Sequence, residues 1–125
     1  MEYAPESLRD RTKAFAIRIV RLLQALPQTT AAQVMGKQVL RSGTSVAANF
    51  RSACRARSRR EFASRLGVVV EEADETLMWL ELLSDTGIVR PERMTAILDE
   101  AHQLTAIFTA ARETARRKRG KDGTK

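Results

Sequence analysis

Arg51, Arg55, Arg57, Arg59 and Arg60 cluster within residues 51–65, a stretch of six arginines against one acid, Glu61, with a formal charge of +5. A second cluster, Arg116-Arg117-Lys118-Arg119 followed by Lys121 and Lys125 and offset by Asp122, gives residues 115–125 another +5. The whole chain is +7, so the remainder is net −3 and the basicity is local. Guanidinium and ammonium groups at this density suit the phosphate backbone of RNA or DNA, which binds such a surface electrostatically and without regard to sequence. Two plainer readings stand beside this one: a solvated charged face, and a dock for an acidic partner protein. The aromatics beside the first cluster, Phe50 and Phe62, fall on core positions, so stacking of bases on aromatic rings is not expected.

Other chemistry finds less support. Cys54 lies among Arg51, Arg55 and Arg57, positive neighbours that favour a reactive thiolate wherever the sulfur is exposed. Yet the chain has one histidine and no glycine-rich phosphate loop, so no set of partners for nucleophilic catalysis emerges. Cys54 reads better as a small packing residue. Asp99 and His102 have i, i+3 spacing and Glu71, Glu72 and Glu75 lie close together, but a carboxylate-bridged di-metal bundle needs two Glu-x-x-His motifs plus two further glutamates. The expectation is a protein with no catalytic residue, no metal and no cofactor.

The elements that must position these groups read as helices. The 125 residues suit one domain, able to bury a core without disulfides. Apolar residues make up 43% and aromatics only 5%, with 3 prolines and 6 glycines as punctuation, a mixture that favours a few long helices. Helices are expected over about 5–26, 31–54, 59–85 and 91–118. Leu8, Phe15, Ile19, Leu22 and Leu26 share one face of the first, which Pro27 ends. Thr30 and Gln33 have capping-box spacing at the start of the second, whose inward stripe is Met35, Val39, Ser42, Val46 and Phe50. Ser58 and Glu61 repeat the capping box at the third, with Phe62, Leu66, Val69, Ala73, Leu77 and Leu80 inward and Gly87 placed to stop it. Pro91 and Glu92 open the fourth, with Met94, Ile97, Leu98, Ala101, Leu104, Phe108 and Ala111 inward. Short connections make sequential helices antiparallel. The expected architecture is an all-α, antiparallel up-and-down four-helix bundle over residues 1–115, with a basic tail over 116–125 that frays from about Gly120. One cysteine, no apolar run of about 20 residues and an N-terminus without a signal-peptide pattern point to the cytoplasm and away from a membrane.

The third helix carries more apolar surface than one core needs. At about 100° per residue, with Leu66 at the centre of the core face, Val68, Trp79 and Leu82 point the opposite way beside Glu72 and Glu75. A tryptophan between aliphatics on a nominally wet face fits a subunit interface. The alternative seats Trp79 in a groove of its own bundle.

The stretch Gln38-Val39-Leu40-Arg41-Ser42-Gly43-Thr44-Ser45-Val46-Ala47-Ala48-Asn49-Phe50-Arg51 resembles the signature of the bacterial four-helix bundle proteins encoded in intervening sequences of large-subunit ribosomal RNA genes. Arg41, Ser42, Ser45 and Asn49 fall on the pattern. The capping Ser58 and the run Glu71-Glu72-Ala73-Asp74-Glu75-Thr76-Leu77-Met78-Trp79-Leu80 are similar to its second half, and the likeness covers about residues 8–110. Where many members carry a glutamate shortly after the asparagine, this chain has Arg51 and Ser52, which makes the corner more basic. The resemblance implies the same bundle fold and a homo-oligomeric ring, of five subunits. A related branch, the accessory proteins of diversity-generating retroelements, binds nucleic acid and a reverse transcriptase, which would make RNA or DNA and such an enzyme the partners here. Arg41 is expected to pair with Glu72 or Glu75, within the chain or between subunits, and to set register rather than bind a ligand.

Overall fold

The computed structural model describes residues 5–123, with side chains over 7–117. Its elements are α1 (Pro5–Gln24), α2 (Thr30–Ala53), α3 (Arg59–Asp85) and α4 (Pro91–Gly123). No strand occurs among the described residues. Successive helices pack side by side, α1 on α2, α2 on α3 and α3 on α4, while among neighbouring pairs the α1–α4 contact is the slightest. This is the all-α, up-and-down bundle that the periodicity predicts.

The helix ends show what sets each boundary. α1 stops at Gln24, two residues before its expected end, and Ala25 and Leu26 turn through bonds to Leu22 O (3.1 Å) and Leu23 O (3.2 Å). Pro27 disfavours helical backbone at the residue before it, so the helix tightens and ends early. Leu26 still buries its side chain. The cap of α2 is Thr29 rather than Thr30: the Thr29 hydroxyl accepts from Ala32 N at 3.2 Å, and Gln33 Nε2 donates to Pro27 O at 3.0 Å instead of bracing the cap. Two adjacent threonines offer the same oxygen, and the extended backbone of Thr29 (φ −83°, ψ 157°) takes the role. Ser58 caps α3 as its spacing predicts, accepting from Glu61 N at 3.0 Å. Gly87, at φ +74°, closes α3 in the left-handed conformation that glycine adopts without strain. α4 continues to Gly123, beyond the expected fraying point.

The core follows the predicted stripes. Phe15, Ile19, Val39, Val46, Leu66, Val69, Leu80, Met94, Leu104 and Phe108 are buried, and Phe50 meets Phe108 with ring centroids 5.0 Å apart. Buried hydroxyls satisfy themselves on the preceding turn: Ser42 Oγ donates to Gln38 O at 2.9 Å and Thr76 Oγ1 to Glu72 O at 2.7 Å. A glycine inside a helix costs about 1 kcal/mol against alanine. At Gly36 and Gly43 packing explains it, since an added Cβ would lie 2.8 Å from Leu26 Cδ1 and 2.9 Å from Ile19 Cγ1. The slim α2 therefore lets α1 approach closely. The looser α1–α4 side is tied by a bidentate ion pair, Arg11 Nε and Nη2 each 2.8 Å from a Glu100 oxygen, with Gln103 Oε1 accepting from the same Nη2 at 2.8 Å. The hydrogen bond to Glu100 raises the Arg11 pKa further above its ordinary value.

Candidate nucleic-acid interface

Antiparallel order gathers the C-terminal end of α2, the N-terminal end of α3 and the C-terminal end of α4 at one end of the bundle. The α2–α3 corner there is short and self-bonded. Cys54 N donates to Phe50 O, Arg55 N to Ser52 O and Ala56 N to Ala53 O, each at 3.0 Å. Ser58 then starts α3. Backbone groups are thus satisfied within the corner, and its long side chains are left to face outward.

Arg51, Arg55, Arg57, Arg59 and Arg60 are all exposed, the Arg57 side chain to 92%. Glu61, the acid of this stretch, is used internally. Its Oε1 accepts from Arg57 N at 2.9 Å, and its Oε2 accepts from Arg65 Nε at 3.1 Å. It braces Arg57, one residue before the cap, rather than the cap residue itself as a standard capping box would. The Arg57 backbone N–H, and next the Arg65 guanidinium, hold the Glu61 carboxyl below its ordinary pKa. Arg65 Nη1 also donates to Ser52 Oγ at 2.7 Å, fastening α3 to the end of α2.

On α4, Arg116 and Arg117 are exposed, whereas the side chains of Lys118 and Arg119 lie outside the described residues. Arg116 of the second cluster lies beside the first turns of α3. A groove of about 340 Å³ between α3 and α4 is lined by Ala63, Ser64, Gly67, Val68 and Glu71 from α3 and by Arg112 and Arg116 from α4. Arg65 and Arg112 belong to this end of the molecule although the sequence reading did not single them out. Arg112 could have been found by its spacing, four residues before Arg116 on the same helix face.

Of the remaining singled-out residues, Arg41 ties α2 to α3. Arg41 Nη1 lies 3.3 Å from Glu72 Oε1, Arg41 Nη2 pairs with Glu75 Oε2, and Arg41 Nε donates to Gln38 Oε1 at 3.2 Å. Trp79 Nε1 donates to Glu75 Oε2 at 3.1 Å, and its half-buried ring packs on the core. Asn49 Nδ2 donates to Ser45 O (2.9 Å) and Ser45 Oγ (2.8 Å). Val68 is 40% exposed and Leu82 36%, and Val34 and Met78, not singled out in the sequence, are also exposed apolar side chains. His102 Nε2 is 4.0 Å from Glu81 Oε2 on the surface. Among the described residues no cluster of three or more His, Cys, Asp or Glu side chains could hold a metal ion. No described helix is long and apolar enough to cross a membrane.

The profile of the 23S rRNA-intervening sequence proteins matches residues 7–110. A crystal structure of a protein of unknown function from the S23 ribosomal protein family of Bacteroides thetaiotaomicron is similar, with a TM-score of 0.80 and 36% sequence identity over 87% of this chain and 97% of that one. No curated protein matches the chain.

Proposed function

The chain belongs to the 23S rRNA-intervening sequence protein family, and on that premise we propose that it is a non-enzymatic protein that binds RNA or DNA backbones, working as an oligomer in the cytoplasm. The observation that carries this reading is the convergence of exposed arginines from the α2–α3 corner and from the end of α4 at one end of the bundle. Arginine forks match phosphate oxygens, and each phosphate they neutralise releases counterions, so affinity comes without sequence readout.

Self-association would multiply that surface. The outward stripe of α3, with Val68 and Leu82 flanking the half-buried Trp79, offers an apolar seam to a second copy. A ring of five, as the family resemblance implies, would bring several arginine ends together. Val68 also lines the α3–α4 groove, so the basic surface would run up to the subunit seam. Such a protein acts as an accessory factor, presenting RNA or DNA to an enzyme such as a reverse transcriptase.

Titration of labelled single-stranded RNA, single-stranded DNA and duplex against the protein, with an acidic protein as competitor, tests the reading. Binding of nucleic acid that the acidic protein does not displace is expected. Tight capture of the acidic protein with no affinity for nucleic acid would replace this reading with that of a docking scaffold. Solution mass tests the oligomer: a ring that falls to monomer on combining Trp79→Ala with Val68→Ala is expected, and a monomeric wild type removes it.

A further inference from the structure

Gly67 differs from the other two helix-interior glycines. An added Cβ there would meet only the Arg112 side chain, Cζ and Nε at 3.5 Å, which is ordinary contact. Packing therefore does not require glycine at this position, and its helix cost goes unrecovered inside the bundle. What Gly67 does is let the Arg112 guanidinium settle against α3 at the floor of the α3–α4 groove.

The groove is chemically two-ended. Arg112 is half-buried, and among the described residues no hydrogen bond or ion pair engages it. Arg116 meets Glu113 only at 3.7 Å. A guanidinium partly withdrawn from water and left unmatched favours an anion, and two of them four residues apart on one helix face can share it. Ser64 adds a hydroxyl beside them. One helical turn beyond Gly67 on α3, away from Arg116 on the antiparallel α4, Glu71 repels a second anion but accepts hydrogen bonds from N–H groups. An occupant must then be anionic at one end and carry a planar N–H-bearing group at the other. A nucleotide answers this description, and about 340 Å³ lies near the lower end of small-ligand pocket sizes. In a duplex the base N–H groups are paired and stacked, so only an unpaired base can reach Glu71.

We propose that the groove between α3 and α4 receives one unpaired nucleotide, its phosphate held by Arg112 and Arg116 and its base edge by Glu71, with Gly67 seating the Arg112 guanidinium at the floor. The inference rests on the nucleic-acid reading above and sharpens it: the arginine corner would bind any phosphate backbone, and the groove would select single strands.

The test uses the full chain, an unstructured labelled RNA and the same RNA as a perfect duplex, with fluorescence anisotropy as readout. Gly67→Leu drives a side chain into the place of the Arg112 guanidinium and crowds the groove, and Arg112→Gln removes the cation without adding bulk. Gly67→Ala, which the packing accommodates, shows whether the helix tolerates a side chain there. Both Gly67→Leu and Arg112→Gln are expected to weaken single-strand binding about tenfold and duplex binding clearly less, so that the preference for the single strand falls. If Gly67→Leu does not fold, Arg112→Gln alone decides between these outcomes. Equal losses on both RNAs, or no loss on the single strand, overturn the groove and leave the corner standing. A wild type that binds neither RNA overturns the underlying reading and the groove with it.

Discussion

Residues 81–99, around the turn from α3 to α4, hold two arginines against four acids, whereas residues 51–65, around the turn from α2 to α3, hold six arginines against one acid. The two corners lie at opposite ends of the bundle and are built differently. At the α3–α4 corner Gly87 turns the backbone, Val89 N reaches back to Leu83 O at 3.1 Å, and Ile88 and Val89 pack on the core. That corner spends its side chains on closure. At the α2–α3 corner no described residue has positive φ, the backbone closes on itself, and the arginines project outward. A turn closed by its own backbone bonds, with only the small Ala53 and Cys54 packed inward, is free to display charge. The comparison separates a folding device from a binding surface within one short chain.

The largest effect should come from neutralising the displayed arginines. Replacing Arg51, Arg55 and Arg60 by glutamine is predicted to lower affinity for RNA about 100-fold near physiological salt with little change in melting temperature. Replacing Arg90 and Arg93 by glutamine at the other corner should change affinity less than about twofold. Equal losses from the two sets would erase the distinction. Next in size, Gly87→Val should destabilise the fold by about 1–3 kcal/mol in chemical denaturation, because a β-branched residue is strained at φ +74°, and should leave RNA affinity of the folded protein alone.

How far the comparison was legible in the sequence depended on range. Ser58 and Gly87 announced their roles because a cap and a left-handed stop are local events, decided by a few neighbouring residues. The Thr29 cap was harder, since Thr30 carries the same chemistry one residue on and only backbone angles choose between them. The arginine corner was visible as composition. The ion pair of Arg11 with Glu100 and the placement of Arg112 over Gly67 were not, because each depends on the approach of helices distant in sequence. Glu61 was read as a capping residue, and its geometry added Arg57 and Arg65 as the groups it restrains.

Two smaller effects sharpen the account of the α2–α3 corner. Ser58→Ala removes the cap and should lower stability by about 1 kcal/mol, read from urea unfolding. Glu61→Gln should act mainly through pH. The Glu61 pKa is depressed in the folded chain, so its contribution is present above the unfolded carboxylate value and fades as pH falls through the folded one. Melting temperatures measured across the acid range should therefore fall more steeply for wild type than for Glu61→Gln, and parallel curves would show that the carboxylate contributes nothing to folding.

The central claim is that the arginine end binds phosphates. The most direct test is the slope of log affinity against log salt for a single-stranded RNA, measured for wild type and for the Arg51→Gln, Arg55→Gln, Arg60→Gln triple variant. Each lost phosphate contact should flatten the slope by about 0.7 for a single strand, so the triple variant should be flatter by about 2. Identical slopes, or a wild-type affinity indifferent to salt, would contradict the claim.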